Sequence, residues 1–246
     1  MTERWVDLET EDGTINTFVV DPDAASPVPV VLFYMDAYGQ REELYDMARR
    51  IGGEGYYVVL PNLYYRSTRE FVGNDDDPAS IERMGKMMFA IGNRMIARDT
   101  EALLAMIDAD EAADSERIGC VGYCMSGPFA ITVAAVHADR IACAASVYGA
   151  ALVTQRPDSP HLVLEQVKGE LCFMCAGIDE WVPRETIEQL GAYLDSAGAH
   201  YSIEWYDDAH HGFAFPSREG QYDERAAEHH WQQLFALFDR NLRKAE

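Results

Sequence analysis

Val28–Met35 is an unbroken, almost wholly apolar run. It is too short for a buried helix and does not alternate as a half-buried strand does, so it reads as a strand covered on both faces. Shorter runs of the same kind follow at Tyr56–Leu60, Arg117–Gly122, Ala142–Tyr148, Leu171–Gly177 and Tyr201–Tyr206. Pro61 stops the first of these. Helical patterns lie between or after them: Arg41–Glu54, Gly127–His137, Pro183–Ser196 and Asp223–Arg243. Strands that alternate with helices form βαβ units and a mostly parallel twisted sheet with helices on both faces. Trp5–Leu8 and Ile15–Val20, joined around Glu11-Asp12-Gly13, add an antiparallel hairpin at the N-terminal end.

The remaining stretch, 64–99, fits this rhythm least. Asn74–Pro78 is a loop, and Ile81–Arg98 carries Met84, Met87, Met88 and Met95 at helical spacing. Methionine fills irregular space, so the stretch is either ordinary core or an adaptable wall over a substrate pocket. With no repeat or long linker, 1–246 is expected to be one domain.

Composition narrows the function. Formal charge is -22, with lysine only at 86, 168 and 244. Such a surface repels nucleic-acid phosphates and anionic membranes, so neither is an expected partner. The N-terminus shows no basic segment leading into an apolar run, and no stretch nears the ~20 apolar residues that span a bilayer. A soluble, cytoplasmic protein is expected, as a monomer or small homo-oligomer. Five cysteines, mostly inside apolar runs, read as reduced thiols. Cys172 and Cys175 have redox or zinc spacing, but three residues apart on a strand they face opposite sides of the sheet. His210-His211 and His229-His230 lack the i, i+4 spacing of a helical zinc site, so no metal is expected.

Parallel sheets place their chemistry beyond the carboxyl ends of the strands. One such end is Gly122-Tyr123-Cys124-Met125-Ser126-Gly127, between a strand and a helix. This is the context of a nucleophile elbow, whose tight turn needs small residues on either side of the nucleophile. Centred on Cys124, the small positions hold Gly122, Ser126 and Gly127. Centred on Ser126, they would hold Cys124 and Pro128, a poor fit. Cys124 is the better nucleophile, and a helix N-terminus favours its thiolate. Asp179 lies past the end of Leu171–Gly177, and His210 and His211 follow Tyr201–Tyr206. Nucleophile, acid and base thus occur in the order of an α/β-hydrolase, each after its own strand. Taken singly, Asp179 could be a turn or cap residue, either histidine a surface imidazole, and Cys124 a buried structural thiol.

Gly122-Tyr123-Cys124-x-x-Gly127, Gly177-x-Asp179-x-x-Val182-Pro183 and His211-Gly212-Phe213 together resemble the dienelactone hydrolase family. The resemblance runs from about Val28 to the last helix and includes Pro61-Asn62-Leu63-Tyr64, similar to the family's Pro-Asp-Leu-Tyr. It implies an α/β-hydrolase fold and assigns the base to His211, directly before Gly-Phe, over His210. Two positions depart from the family pattern. Asp36 stands where the family carries a glutamate against the thiol, which makes Asp36 a candidate modulator of Cys124. Phe215 stands where dienelactone-cleaving members place an arginine for the substrate carboxylate. Arg218 and Arg83 are candidate replacements, and Tyr123 is a further candidate substrate contact.

The expected chemistry is hydrolysis of a small ester or lactone through a thioester on Cys124. His211 acts as base and Asp179 orients it; no cofactor is needed. The amides of Met125 and Ala37 are the expected oxyanion hole. Two other readings remain: a non-catalytic small-molecule binding module on a hydrolase fold, and a cysteine hydrolase of another electrophile such as an activated phosphoester.

Overall fold

In a computed structural model, described for residues 1–243, the chain forms one eight-stranded sheet. The strands are β1 (Thr2–Thr10), β2 (Gly13–Asp21), β3 (Val28–Tyr34), β4 (Tyr57–Pro61), β5 (Ala113–Tyr123), β6 (Ile141–Val147), β7 (Glu170–Ile178) and β8 (Tyr201–His210). Their order across the sheet is β1-β2-β4-β3-β5-β6-β7-β8. The β1–β2 hairpin is antiparallel and β2 joins β4 antiparallel; every pairing from β4 through β3 to β8 is parallel. This is the mostly parallel sheet that the alternation of elements predicts, and the α/β-hydrolase architecture that the resemblance implies.

The helices are α1 (Glu42–Gly53), α2 (Pro78–Ala90), α3 (Asn93–Ala109), α4 (Gly127–Val136), α5 (Arg184–Ala197) and α6 (Glu224–Leu242). α3 and α4 pack on each other, while α1 and α6 are joined by the Arg50–Glu228 ion pair. All the residues of β3 except Val28 are buried, and α4 is buried almost throughout, which is why neither shows an amphipathic pattern. Among the described residues, no helix is long and apolar enough to cross a membrane.

Several boundaries differ from the sequence reading, three of them with a clear physical reason. The Met-rich stretch is two helices, broken at Ile91-Gly92. A long-range anchor sets the break: the Asn93 amide donates to Asp158 Oδ2 (3.1 Å) and its side chain to the Asp158 carbonyl (2.7 Å). Met87 is buried, and Met84, Met88 and Met95 are partly buried against the core. Second, β8 continues past Tyr206 to His210, because after a bulge it keeps pairing with β7 (Ile178 opposite His210). Third, α3 extends well beyond Arg98, carrying Leu103, Leu104 and Ile107 into the core.

The parallel register brings the carboxyl ends of β3, β5, β6, β7 and β8 to one edge of the sheet. Asp36, Cys124, Tyr148, Asp179 and His211 follow those five strands in turn.

Candidate active site

The elbow after β5 is sharp. Cys124 has φ +53°, a left-handed conformation that costs a non-glycine residue roughly 1–2 kcal/mol. The turn brings Ser126 back over Gly122, where an added Cβ would lie 2.1 Å from the Ser126 carbonyl oxygen. Only glycine fits there. Gly127 is equally tight, since a Cβ would meet Ser146 Oγ at 2.4 Å. Ser126 is fully buried. Its hydroxyl accepts from the Tyr123 amide (2.9 Å) and reaches the Tyr34 (2.9 Å) and Tyr123 (3.1 Å) carbonyls. It thereby stitches the elbow to the end of β3, a reason for serine at this position.

Cys124 is partly exposed, whereas Cys120, Cys143, Cys172 and Cys175 are buried, and all five are free thiols. Burial pushes the pKa of each of the other four upward.

His211 Nδ1 lies 2.7 Å from Asp179 Oδ2. Asp179 Oδ1 accepts the amides of Trp181 (2.9 Å) and Val182 (3.1 Å), which fixes the carboxylate in the turn after β7. The opposite ring nitrogen, His211 Nε2, is buried without a formed hydrogen bond. Burial opposes charge on this imidazole, but the Asp179 bond and the Cys124 sulfur more than offset it. The pKa is raised from 6.5 to about 10. His210 ends β8 with its side chain exposed. The structure therefore brings Cys124, His211 and Asp179 together and leaves His210 outside.

The ring of Tyr148 lies 5.0 Å from that of His211, and its hydroxyl is buried without a partner. Like Cys124, Tyr148 has a positive φ, +37°. Backbone strain of this kind gathers at functional sites. Sequence reading did not single out Tyr148; its position just past β6 was the available signal.

Asp36 is 1% exposed, and both of its oxygens are engaged. Oδ1 accepts from Arg41 (2.6 Å) and the Tyr38 amide (3.1 Å); Oδ2 accepts from Arg41 and Arg218 (both 3.1 Å). Arg41 also pairs with Glu43 (2.7 Å) and Arg218 with Asp75 (3.5 Å). The Arg218 guanidinium sits over the Tyr38 ring, whose hydroxyl donates to Asp75 (2.6 Å). Arg218 thus enters the site region despite lying three residues beyond Phe215. Arg41, which no sequence motif singles out, enters with it.

The other candidate contacts sit elsewhere. Arg83 is exposed on α2, over the Phe71 ring and in a surface hollow with Glu70 and Asp77. Tyr123 is buried behind the elbow, its hydroxyl 2.8 Å from His230 Nε2. Phe215 is buried against Tyr123 and Tyr148, with the Arg41 guanidinium over its face. Both rings are parts of the core under the site rather than open surface. His230 is a core imidazole whose pKa burial drives down to about 4, and His229 faces solvent beside Gln233.

Residues 15–242 match the model of the dienelactone hydrolase family. A carboxymethylenebutenolidase from Rhodococcus opacus is 28% identical over 218 residues, covering 86% of this chain and 81% of its own. A candidate dienelactone hydrolase from Klebsiella pneumoniae superposes with a TM-score of 0.86 at 22% identity, covering 97% of this chain and 98% of its own. A dienelactone hydrolase-like promiscuous phosphotriesterase from metagenomic libraries superposes with a TM-score of 0.84 at 17% identity, covering 98% and 99%. With the family pattern extending over nearly the whole chain, this protein belongs to the dienelactone hydrolase family of α/β-hydrolases.

Proposed function

We propose that the protein hydrolyses small carboxylic esters or lactones through a Cys124–His211–Asp179 triad and a thioester acyl-enzyme. One observation carries the reading. His211 is held by Asp179 through Nδ1, and its other nitrogen, buried and unpartnered, is left for the elbow thiol. That is the relation a nucleophile, its base and an orienting acid require.

His211 accepts the Cys124 proton, and the raised pKa favours the resulting imidazolium. The sulfur attacks the carbonyl carbon, and the carbonyl electron pair moves to oxygen. The amides of Met125 and Ala37 stabilise that oxyanion. Collapse breaks the bond to the leaving oxygen, which takes the proton from His211. A water molecule then gives its proton to His211, attacks the thioester and releases the acid, returning the proton to sulfur. Asp36, which follows β3 at the same edge of the sheet as Cys124, is the group assigned to modulate the thiol.

The test is a hydrolysis panel of dienelactones, simple lactones and aryl esters, run on wild type and Cys124→Ala. Turnover and covalent adduct formation by wild type alone are expected. An activated phosphotriester belongs in the panel, since a structural relative is named for that activity. Turnover of that compound and of no ester overturns the assignment of electrophile.

A further inference from the structure

The loop after β3 is fastened by hydrogen bonds from its own turn and from a distant side chain. The Gly39 amide donates to the Asp36 carbonyl (3.4 Å), and the Tyr38 amide donates to Asp36 Oδ1 (3.1 Å). The carbonyl of the same Ala37–Tyr38 peptide accepts the Tyr64 hydroxyl at 2.9 Å. This peptide is therefore held at both ends. The Ala37 amide, one peptide earlier, is the group assigned above to the oxyanion.

The Tyr64 hydroxyl also lies 3.3 Å from Met125 Sδ. A single oxygen thus touches both residues whose amides would bind the oxyanion, although one follows β3 and the other β5. Tyr64 is itself well fixed. It is 1% exposed, its ring packs on Phe71, and its amide donates to Asn62 Oδ1 (2.9 Å). Asn62 is buried and donates to Asn16 Oδ1 and the Thr68 carbonyl, both at 2.9 Å. A buried hydrogen-bonded network of this kind holds one geometry. Burial also keeps the phenol protonated, hence a donor.

We propose that Tyr64 is a positioning residue for acyl transfer: its hydroxyl sets the spacing between the Ala37 and Met125 amides. The inference rests on the acyl-transfer reading above. Removing one oxyanion donor costs about 10²–10³ in kcat, and displacing a donor without removing it should cost less.

The test is Tyr64→Phe, which deletes the oxygen and keeps the ring. Three measurements separate positioning from folding. Ester hydrolysis should lose about 10- to 100-fold in kcat with little change in KM, a misplaced donor rather than a missing one. Affinity for an aryl trifluoromethyl ketone should fall by a similar factor, because thiolate addition forms a C–S bond and leaves the electron pair on oxygen. Alkylation of Cys124 by iodoacetamide should not change, since sulfur displaces iodide from carbon and no oxyanion develops. Replacing Tyr64 with p-aminophenylalanine, which restores a donor, should recover much of kcat.

Undiminished kcat in Tyr64→Phe overturns the proposal. So does a parallel loss of hydrolysis and alkylation, or failure of the variant to fold, because each makes the hydroxyl an element of the fold. Wild type that is alkylated at Cys124 but hydrolyses no ester removes the acyl-transfer reading itself, and this inference falls with it.

Discussion

His211 Nδ1 meets Asp179 Oδ2 at 2.7 Å, while the other oxygen of the same carboxylate receives two amides of its own turn. The turn reading of Asp179 and the geometry that the proposed triad needs are thus compatible in one side chain: the turn aims the carboxylate that holds the imidazole. Asp179→Asn keeps an acceptor for the turn and should fold. It also offers the imidazole an amide in place of a carboxylate. We expect kcat to fall by about 10³- to 10⁴-fold, as for the same change in other triads. A loss below about tenfold would detach Asp179 from the proposed chemistry, since it would leave only a turn-stabilising role.

The raised pKa of His211 makes stability depend on pH. The imidazole titrates near 6.5 when unfolded and at about 10 in the folded protein. Below 6.5 it is protonated in both states, and the folded state has its full stabilisation. Between 6.5 and about 10 the folded state holds a proton that the unfolded state has released, so stability declines as pH rises. Urea midpoints at pH 6 and pH 9 should therefore fall more in wild type than in His211→Gln. Parallel curves for the two proteins would contradict the raised pKa. The same group predicts an alkaline limb in kcat/KM near pH 10 as the proton donor for the leaving group is lost.

Cys124 and Ser126 should separate cleanly on substitution. Cys124→Ala removes the proposed nucleophile and relieves nothing in the core, so activity should vanish with folding intact. Ser126→Ala removes the buried hydroxyl that joins the elbow to the Tyr34 carbonyl and leaves the Tyr123 amide without its acceptor. An unsatisfied buried group costs about 1–3 kcal/mol. Ser126→Ala should lower Tm measurably while keeping a substantial part of kcat. A dead Ser126 variant beside an active Cys124 variant would reverse the elbow assignment.

The features legible in the sequence were those that local chain geometry dictates. Gly122 and Gly127 around Cys124 announce a turn that tolerates no Cβ, and Asp179 and the His210-His211 pair each follow a strand end, with the family resemblance choosing His211. The missing features are long-range pairings without a local signature. Nothing near Arg41 marks it as a partner of Asp36, and nothing near Arg218 shows that the chain folds back over Tyr38. The break at Ile91-Gly92 depends on Asp158, 65 residues away from Asn93. Phe215 was visible as an aromatic in an arginine's place, but its burial beneath Arg41 was not. Tyr64 stood in a noticed motif, yet only the fold brings its hydroxyl to Ala37 and Met125.

The arginines at Asp36 bear on which substrates suit the site. Two guanidiniums, Arg41 and Arg218, face three carboxylates: Asp36, Glu43 and Asp75. The cluster has no surplus positive charge for a substrate carboxylate, and Arg83 lies exposed on α2 beside Glu70 and Asp77. The formal charge of -22 adds no long-range attraction for anions. Neutral aryl or short-chain esters should therefore be hydrolysed with kcat/KM at least equal to that of a carboxylated dienelactone. Asp36→Asn tests the cause. It leaves two partly buried guanidiniums without their shared, buried carboxylate, and breaking a buried ion pair costs about 3–5 kcal/mol, so Tm should drop. If the variant is assayed well below that Tm, the released charge should raise kcat/KM for the carboxylated lactone relative to its methyl ester. The same substitution should shift the pH dependence of Cys124 alkylation if Asp36 also biases the thiol. A wild-type preference for the free acid that disappears in Arg218→Ala would show that Arg218 already serves as the anchor while paired to Asp36, and the charge count would then be the wrong guide to specificity.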